Sequence, residues 1–460
     1  MLALGTVMAT LDLSVVNIAL PTLSRSFGVP LTTIEWVVLA YVLTITGLLL
    51  VLGRLADRLG RRRIYGVGLA VFTLASAACA LAPSAFGLIA ARTLQGFGAA
   101  MMTANGAALL IMSFPREERG RALGAFGATV GVGLALGPPL GGLLVQHLSW
   151  RWIFLINLPL GVLALALLRR RLPQDPPRAA APRLHVVGAA LWCGALALFM
   201  LALSRGPARG WGLSGVGPLF AAAAALLVAF IVAERRASDP LLPTQDLGGP
   251  LGTTVTLTLL GNIISIAVGF HLPLYLEEVL GFEAGRSGRW MVVLPLMALV
   301  LAPIAGRLSD RWGARPLSVL GFVITAIGLG LLAGVGVEPH ALHILGGMAL
   351  VGIGQGLFAV PNSRALLSAV PAERLGLANG LQGTMRNLGI SGGAALTAAL
   401  LASRFAAHGG GTLAAGPLAR SGREAFAQAT ADAYAVMAAI AVLGALLSTR
   451  TTGRPRHEAR

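Results

Sequence analysis

The stretch GRLADRLGRRR at residues 53–63 returns in the second half of the chain as GRLSDRWGARP at 306–316. In each copy an apolar run ends on Gly-Arg-Leu, an acid follows (Asp57, Asp310), and a second glycine among arginines precedes another apolar run. The motif is therefore a charged corner between two helices, and it occurs twice. The phase holds beyond it: LQGFGAA (94–100) is matched by GQGLFAV (354–360), and ERGRALG (118–124) by ERLGLANG (373–380). Repetition in register over that length implies two copies of one structural unit.

Composition says what kind of unit it is. Of 460 residues, 56% are hydrophobic and 12% charged, and the mean hydropathy is +0.80, outside the range of soluble domains. Apolar runs fall at about 1–22, 34–53, 64–82, 86–113, 119–146 and 152–168, then 185–204 and 215–234, then 249–276, 288–306, 316–335, 341–364, 374–403 and 432–448. About 20 apolar residues cross the hydrocarbon layer as a helix, which satisfies its own backbone, and barrel-type alternation is missing from the sequence. Fourteen spans are predicted. They divide the chain into a six-helix bundle (1–168), a linker with two extra spans (169–248), and a second six-helix bundle with a short cytoplasmic tail (249–460). RRRLPQDPPRAAAPRL (169–184) reads as a cytoplasmic linker, and the Gly- and Ala-rich 404–431 as a partly ordered external loop.

The net charge of +17 invites a nucleic-acid reading, but the distribution argues against it. Every basic residue is Arg, clustered in short connectors without interleaved aromatics for base stacking. With the N-terminus placed in the cytoplasm, cytoplasmic connectors and tail hold 24 of the 35 Arg and external connectors nine, as the positive-inside rule requires. Both termini are thus predicted cytoplasmic. Residues 1–21 lack the basic start of a signal peptide and contain Asp12 and Asn17, so they read as the first span. Cys79 and Cys193 stand alone in apolar runs and read as packing residues, with no metal-binding spacing. No HExxH, GxSxG or paired-Asp site suggests an intramembrane enzyme, and a chain without Lys holds no Walker loop.

Two six-helix repeats carrying G-x-x-x-D-R-x-G-R-R, with LDLSVVNIALPTL (11–23) in the first span and WRWIFLINLPLG (150–161) before the sixth, resemble the major facilitator superfamily. With fourteen spans, these motifs together resemble its drug/proton antiporter branch, the EmrB/QacA type. The resemblance covers essentially the whole chain. It implies an all-α polytopic membrane protein of the major facilitator fold, fourteen transmembrane helices in all, whose halves rock around a midplane site. It further implies proton-coupled multidrug efflux and antibiotic resistance by a monomeric carrier in the inner (plasma) membrane, at times with an accessory export protein. Cargo would be lipophilic, cationic small molecules; lipid, metabolite or endogenous-antibiotic export is the alternative. Its partners are protons, cargo and lipid, with no cofactor, no metal and no nucleic acid.

The resemblance also assigns residues. Gly53, Asp57, Arg58, Gly60 and Arg61, with Asp310 and Arg311 of the second copy, form a cytoplasmic gate, although the arginines serve equally well as solvated topogenic charges. In GATVGVGLALGPPLGGLL (127–144), Gly133, Gly137 and Gly141 recur every four residues and share one helix face. With Pro138 they match the family's antiporter motif, the alternative being plain small-residue packing beneath a proline kink.

Charges inside spans are the sharper signals, since each costs about 2.5–3.5 kcal/mol at a helix centre. Asp12 lies midway along the first run, where a carboxylate can take a proton from one side and release it to the other or hold a structural partner instead. Arg92 and Gln95 stand one turn apart in the fourth run and are expected as its relay partners or as a structural pair. Tentative cavity residues are Asn17, Met102, Asn105, His271, Phe358, Asn362 and Arg386, with ordinary packing the alternative for most. Arg386 needs an interior partner, either an acid or an anionic group on cargo. Glu35, Glu277 and Glu278 are read as solvated acids near the external ends. In 150–161, Trp150 and Trp152 suit the interfacial belt, Arg151 the headgroups, and Pro159 with Gly161 a bend, giving an anchor and hinge. Ser14 stands where the family more usually has Thr, and the run 341–364 lacks the acid of relatives that handle divalent cations.

Overall fold

The computed structural model describes every residue except 116–117, 172–184, 210–211, 213, 243–247, 338, 372–373, 410–419 and 452–460. The described residues are helical almost throughout. In chain order the helices are α1 (Leu2–Phe27), α2 (Leu31–Ile34), α3 (Trp36–Leu59), α4 (Arg61–Ala80), α5 (Ala85–Ser113), α6 (Arg119–His147), α7 (Trp152–Leu155), α8 (Asn157–Arg171), α9 (Val186–Arg209), α10 (Gly217–Arg236), α11 (Pro250–Leu274), α12 (Ala284–Met291), α13 (Val293–Trp312), α14 (Ala314–Ala333), α15 (Ala341–Ser368), α16 (Leu375–Ala407) and α17 (Arg420–Ser448). Residues Tyr275–Val279 continue α11 as a wider π turn. Among the described residues, twelve helices are long and apolar enough to cross a membrane. The predicted runs outside those twelve are α6, 29 residues long with several side chains outside the described set, and Trp152–Leu168, a shorter apolar helix interrupted at Ile156.

The chain packs as two compact units. The first comprises Met1–Leu198, Ala222–Thr244 and Val370–Thr384; the second comprises Phe199–Ala221, Gln245–Ala369 and Met385–Arg460. In the first, α4 and α3 pack on α5, and α1 lies along α6; in the second, α14 and α13 pack on α15, and α11 and α14 lie against α17. The helices flanking the repeated motif thus find equivalent neighbours in both units. Gly60 and Gly313 make the corner itself, with φ of 102° and 81°, a region open to glycine and strained for other residues.

Small residues set how close the helices come. A Cβ on Gly133 would strike Thr10, one on Gly137 would strike Ser14, and one on Gly141 would meet Val15 Cγ1 at 3.1 Å. The four-residue glycine stripe of α6 therefore lies on α1, bracketing Asp12. Both α6 prolines are within the helix; the side chain of Pro138 lies outside the described residues. In the second unit, Gly389 and Gly393 bring α16 onto Leu259–Ile266 of α11 in the same manner.

The linker predicted at 169–184 begins as the last turn of α8, and its residues from 172 lie outside the described set. His185 beyond it bonds Glu234 of α10 (2.7 Å), whose other oxygen accepts from Leu242 N–H (2.8 Å), pinning the start of the inserted helix pair. Residues 420–431 are a correction to the sequence reading: they are helical, not loop. Their Ala-rich pattern favours a helix, and Phe426 packs on Phe405 at 5.9 Å with Ala425 and Ala429 buried alongside.

Gly137→Leu should therefore lower the melting temperature in detergent by several degrees, since overpacking costs about 1–3 kcal/mol. Gly142→Ala, with nothing within 4 Å of its Cβ, should leave it unchanged, and equal effects of the two would refute the packing role.

Candidate functional site

Asp12 sits midway along α1 and is buried. Arg92 Nη1 approaches its Oδ2 at 2.5 Å, while Gln95 Nε2 and Asn157 Nδ2 each donate to its Oδ1 at 3.0 Å. One carboxylate thus holds three side-chain donors from α5 and α8, which is how a buried charge is made tolerable. Arg92 is held in turn: Nη1 also reaches Gln95 Oε1 (2.6 Å), Nε donates to Val37 O (3.0 Å), and the guanidinium lies 4.0 Å from the Tyr41 ring. Gln95 Nε2 further donates to Ser76 Oγ of α4 (2.7 Å), and Cys79 Sγ lies 3.6 Å from Gln95 Oε1. Arg92 Nη2 and Asn157 Oδ1 are buried without a hydrogen-bond partner among the described residues.

The structure brings Asp12, Arg92 and Gln95 together, and it adds Ser76, Tyr41 and Asn157. Asn157 comes from the 150–161 stretch and corrects its reading as anchor and hinge alone. The helix restarts at Asn157 after a break at Ile156, turning the amide toward Asp12. Trp150 is also corrected: it is buried, bonds Ser26 Oγ through Nε1 at 3.1 Å and packs on Phe27, while Arg151 stacks on its ring at 4.4 Å. Trp152 keeps an exposed face. Such packing fixes the approach of α8.

The 53–63 motif forms a second charged site. Asp57 accepts from Arg61 Nε (3.0 Å) and Nη2 (2.7 Å), and also from the backbone N–H groups of Gly376 and Leu377, both at 2.9 Å. Those N–H groups open α16, so a carboxylate sits on the positive end of a helix. Gly53 makes the approach possible, for its Cβ would collide with the Gly376 carbonyl. Two residues further on, Asn379 Nδ2 donates to Thr103 O (2.8 Å) and Ala104 O (2.7 Å). Arg61 is buried and also reaches Met112 Sδ; Arg58 is half-buried and Arg311 exposed. In the second copy Asp310 pairs with Arg364 at 2.8 Å.

The tentative cavity residues scatter. Asn17 is exposed and donates to Leu13 O of its own helix. Met102, Asn105, His271, Phe358 and Asn362 are buried in helix packing. Asn105 bonds Met101 O, Asn362 bonds Thr254 O and Thr258 Oγ1, His271 Nε2 bonds Thr397 O, and Phe358 packs on Phe322. Arg386 is half-buried.

A bundle of apolar spans enclosing a compensated ion pair midway along α1 is the architecture of a polytopic membrane protein. The chain belongs to the Major Facilitator Superfamily, whose profile matches residues 2–394 and again 254–460. It is 37% identical over 401 residues to the uncharacterized transporter YebQ of Escherichia coli K12, covering 87% of this chain and 88% of that one. It is 31% identical to the riboflavin transporter RibZ of Clostridioides difficile (97% and 95% covered) and 36% identical to the methylenomycin A resistance protein of Streptomyces coelicolor (84% and 82%). The chain is thus a multi-pass membrane transporter of small molecules, related to drug-resistance exporters.

Removing one partner of a buried ion pair leaves an uncompensated charge and costs about 3–5 kcal/mol. Arg92→Gln should destabilise the purified protein by that order, and adding Asp12→Asn should restore part of the loss. Additive losses in a double-mutant unfolding cycle would contradict the coupling.

Proposed function

We propose that the protein is a proton-driven exporter of lipophilic small molecules, the drug/proton antiporter type, working by alternating access. On this reading it has fourteen spans, two six-helix bundles and an inserted pair, with both termini cytoplasmic in the plasma membrane. The observation that carries the reading is the three-donor cage around Asp12.

An ionised Asp12 attracts Arg92 and accepts every bond offered to it. A proton on either oxygen removes the charge and turns an acceptor into a donor facing donors. The cage must then rearrange, and its members lie on α1, α4, α5 and α8, so protonation is converted into helix movement. Arg92 keeps its own proton throughout; its part is to hold the Asp12 side chain in place through the Nη1–Oδ2 contact. The glycine stripe gives α1 a smooth face on α6 along which to shift. Asp57, seated on the first turn of α16, acts as the cytoplasmic gate, made and broken as that turn approaches or leaves. A proton taken from outside would displace cargo outward, and its release to the cytoplasm would restore the Asp12–Arg92 pair.

The relatives divide on cargo: resistance exporters favour drug or endogenous-antibiotic efflux, and the riboflavin transporter favours a metabolite. A drug-susceptibility panel in an efflux-deficient host separates these, because metabolite transport leaves the panel unchanged.

Inside-out vesicles with an imposed pH gradient test the coupling. Uptake of a fluorescent efflux substrate should follow the gradient in the wild type and lose gradient dependence in Asp12→Asn. Transport that ignores the gradient, or that is unchanged in Asp12→Asn, would refute it. Asp57→Asn should slow turnover while leaving the Asp12 cage intact.

A further inference from the structure

Two arginines stand midway along apolar spans, one in each repeat, and the structure treats them differently. Arg92 is compensated by Asp12 and enclosed. Arg386 is the twelfth residue of α16, about 17 Å along a helix that rises 1.5 Å per residue, and it is half-buried. Among the described residues its guanidinium makes neither a hydrogen bond nor an ion pair. Each described carboxylate of the second unit is placed elsewhere: Glu277 and Glu278 in the π turn, Glu283 before α12, Asp310 with Arg364, Glu424 with Arg420, and Asp432 with Arg404 and His408 at the far end of α16. None is placed to neutralise Arg386.

The repeat sharpens the contrast. Gln355 corresponds to Gln95, but Gly352 stands at the position of Arg92 and packs on Leu294 and Met297. Gly389 meets Leu259 O and Asn262 on α11 as Gly133 meets Val7 O and Thr10 on α1. That register sets Ile264 opposite Asp12 and Arg386 opposite Val130. The second repeat therefore lacks both members of the ion pair and carries an arginine where the first has an aliphatic residue. Half-buried Asn262, which meets Gly389 three residues after Arg386, adds a polar side chain on α11.

A guanidinium cannot shed its proton and is costly when unpaired inside the hydrocarbon layer. Partly exposed and without a partner among the described residues, the Arg386 guanidinium is open to a partner from outside the chain, water or a ligand. We propose that Arg386 is the anion-recognition residue of the cargo site, and that the cargo is an amphipathic organic anion, a carboxylate, sulfonate or phosphate on an apolar frame. This rests on the carrier reading above and replaces the cationic cargo expected from the resemblance. The acid that would attract a cation, Asp12, already holds Arg92, Gln95 and Asn157.

Two dyes sharing one tricyclic frame test it: anionic fluorescein and cationic rhodamine 123, titrated by anisotropy onto the purified full-length protein. The wild type should bind fluorescein more tightly than rhodamine 123. Arg386→Gln should weaken fluorescein binding roughly ten- to hundredfold, as loss of a charge-assisted bond implies, and leave rhodamine 123 unaffected, with Arg386→Lys intermediate. The melting temperature of Arg386→Gln should equal or exceed that of the wild type, because no internal partner is lost. Wild type binding fluorescein no better than rhodamine 123, including binding neither, would overturn the proposal. So would unchanged fluorescein binding in Arg386→Gln, or a melting temperature several degrees lower. The titration uses no gradient, so dye discrimination with gradient-blind vesicles would defeat the proton-export reading and leave the anion site standing, and the converse result would do the opposite.

Discussion

The ion pair between Asp12 and Arg92 is the interaction around which the first unit is arranged. Two charges midway through a hydrocarbon layer are stable only when they meet each other and when their remaining lone pairs and protons are used. That requirement draws α1, α3, α4, α5 and α8 to one point: α3 gives the Val37 carbonyl and the Tyr41 face, α4 gives Ser76, and α8 gives Asn157. The glycine stripe of α6 then supports the far side of α1. On the proposed function the same requirement makes the site responsive, since a single proton on Asp12 would undo the reason for the arrangement.

The two repeats share a backbone plan but not its chemistry. Both motifs turn on a positive-φ glycine, and both place an acid near it, yet Asp57 seats on the N-terminal turn of α16 while Asp310 pairs with Arg364. Midway along their spans, the first unit pairs Arg92 with Asp12 and the second carries Arg386 without a partner among the described residues. On the two proposals above, the proton is assigned to the first unit and the cargo to the second on the strength of that asymmetry.

Much of this was legible in the sequence because it is local. Span lengths follow from hydropathy, the corners from Gly-x-x-x-Asp, and the α6 packing face from glycines four apart. Asp12, Arg92 and Gln95 stood out because polar groups in apolar runs are expensive wherever they lie. Asn157 did not, for its partner is 145 positions away and an Asn beside a proline at a helix start explains itself as a cap or bend. Trp150 was misread for a related reason: an indole suits either an interface or a core, and only the partner, Ser26, decides. The start of α17 was hidden because an Ala-rich segment with scattered charges reads as loop until Phe405 is seen against Phe426. The buried Asn and Met residues proposed for a cavity have the composition of one, but composition does not say which helix face meets a neighbour.

On the proposed function, Asp12 itself takes up and gives back the transported proton. Infrared difference spectroscopy on vesicles during gradient-driven turnover reads this directly through the carbonyl stretch of a protonated carboxylic acid. A protonation band is expected in the wild type that appears with the gradient and is missing in Asp12→Asn. A band of equal size in both proteins, or none in a wild type that is transporting, would contradict it.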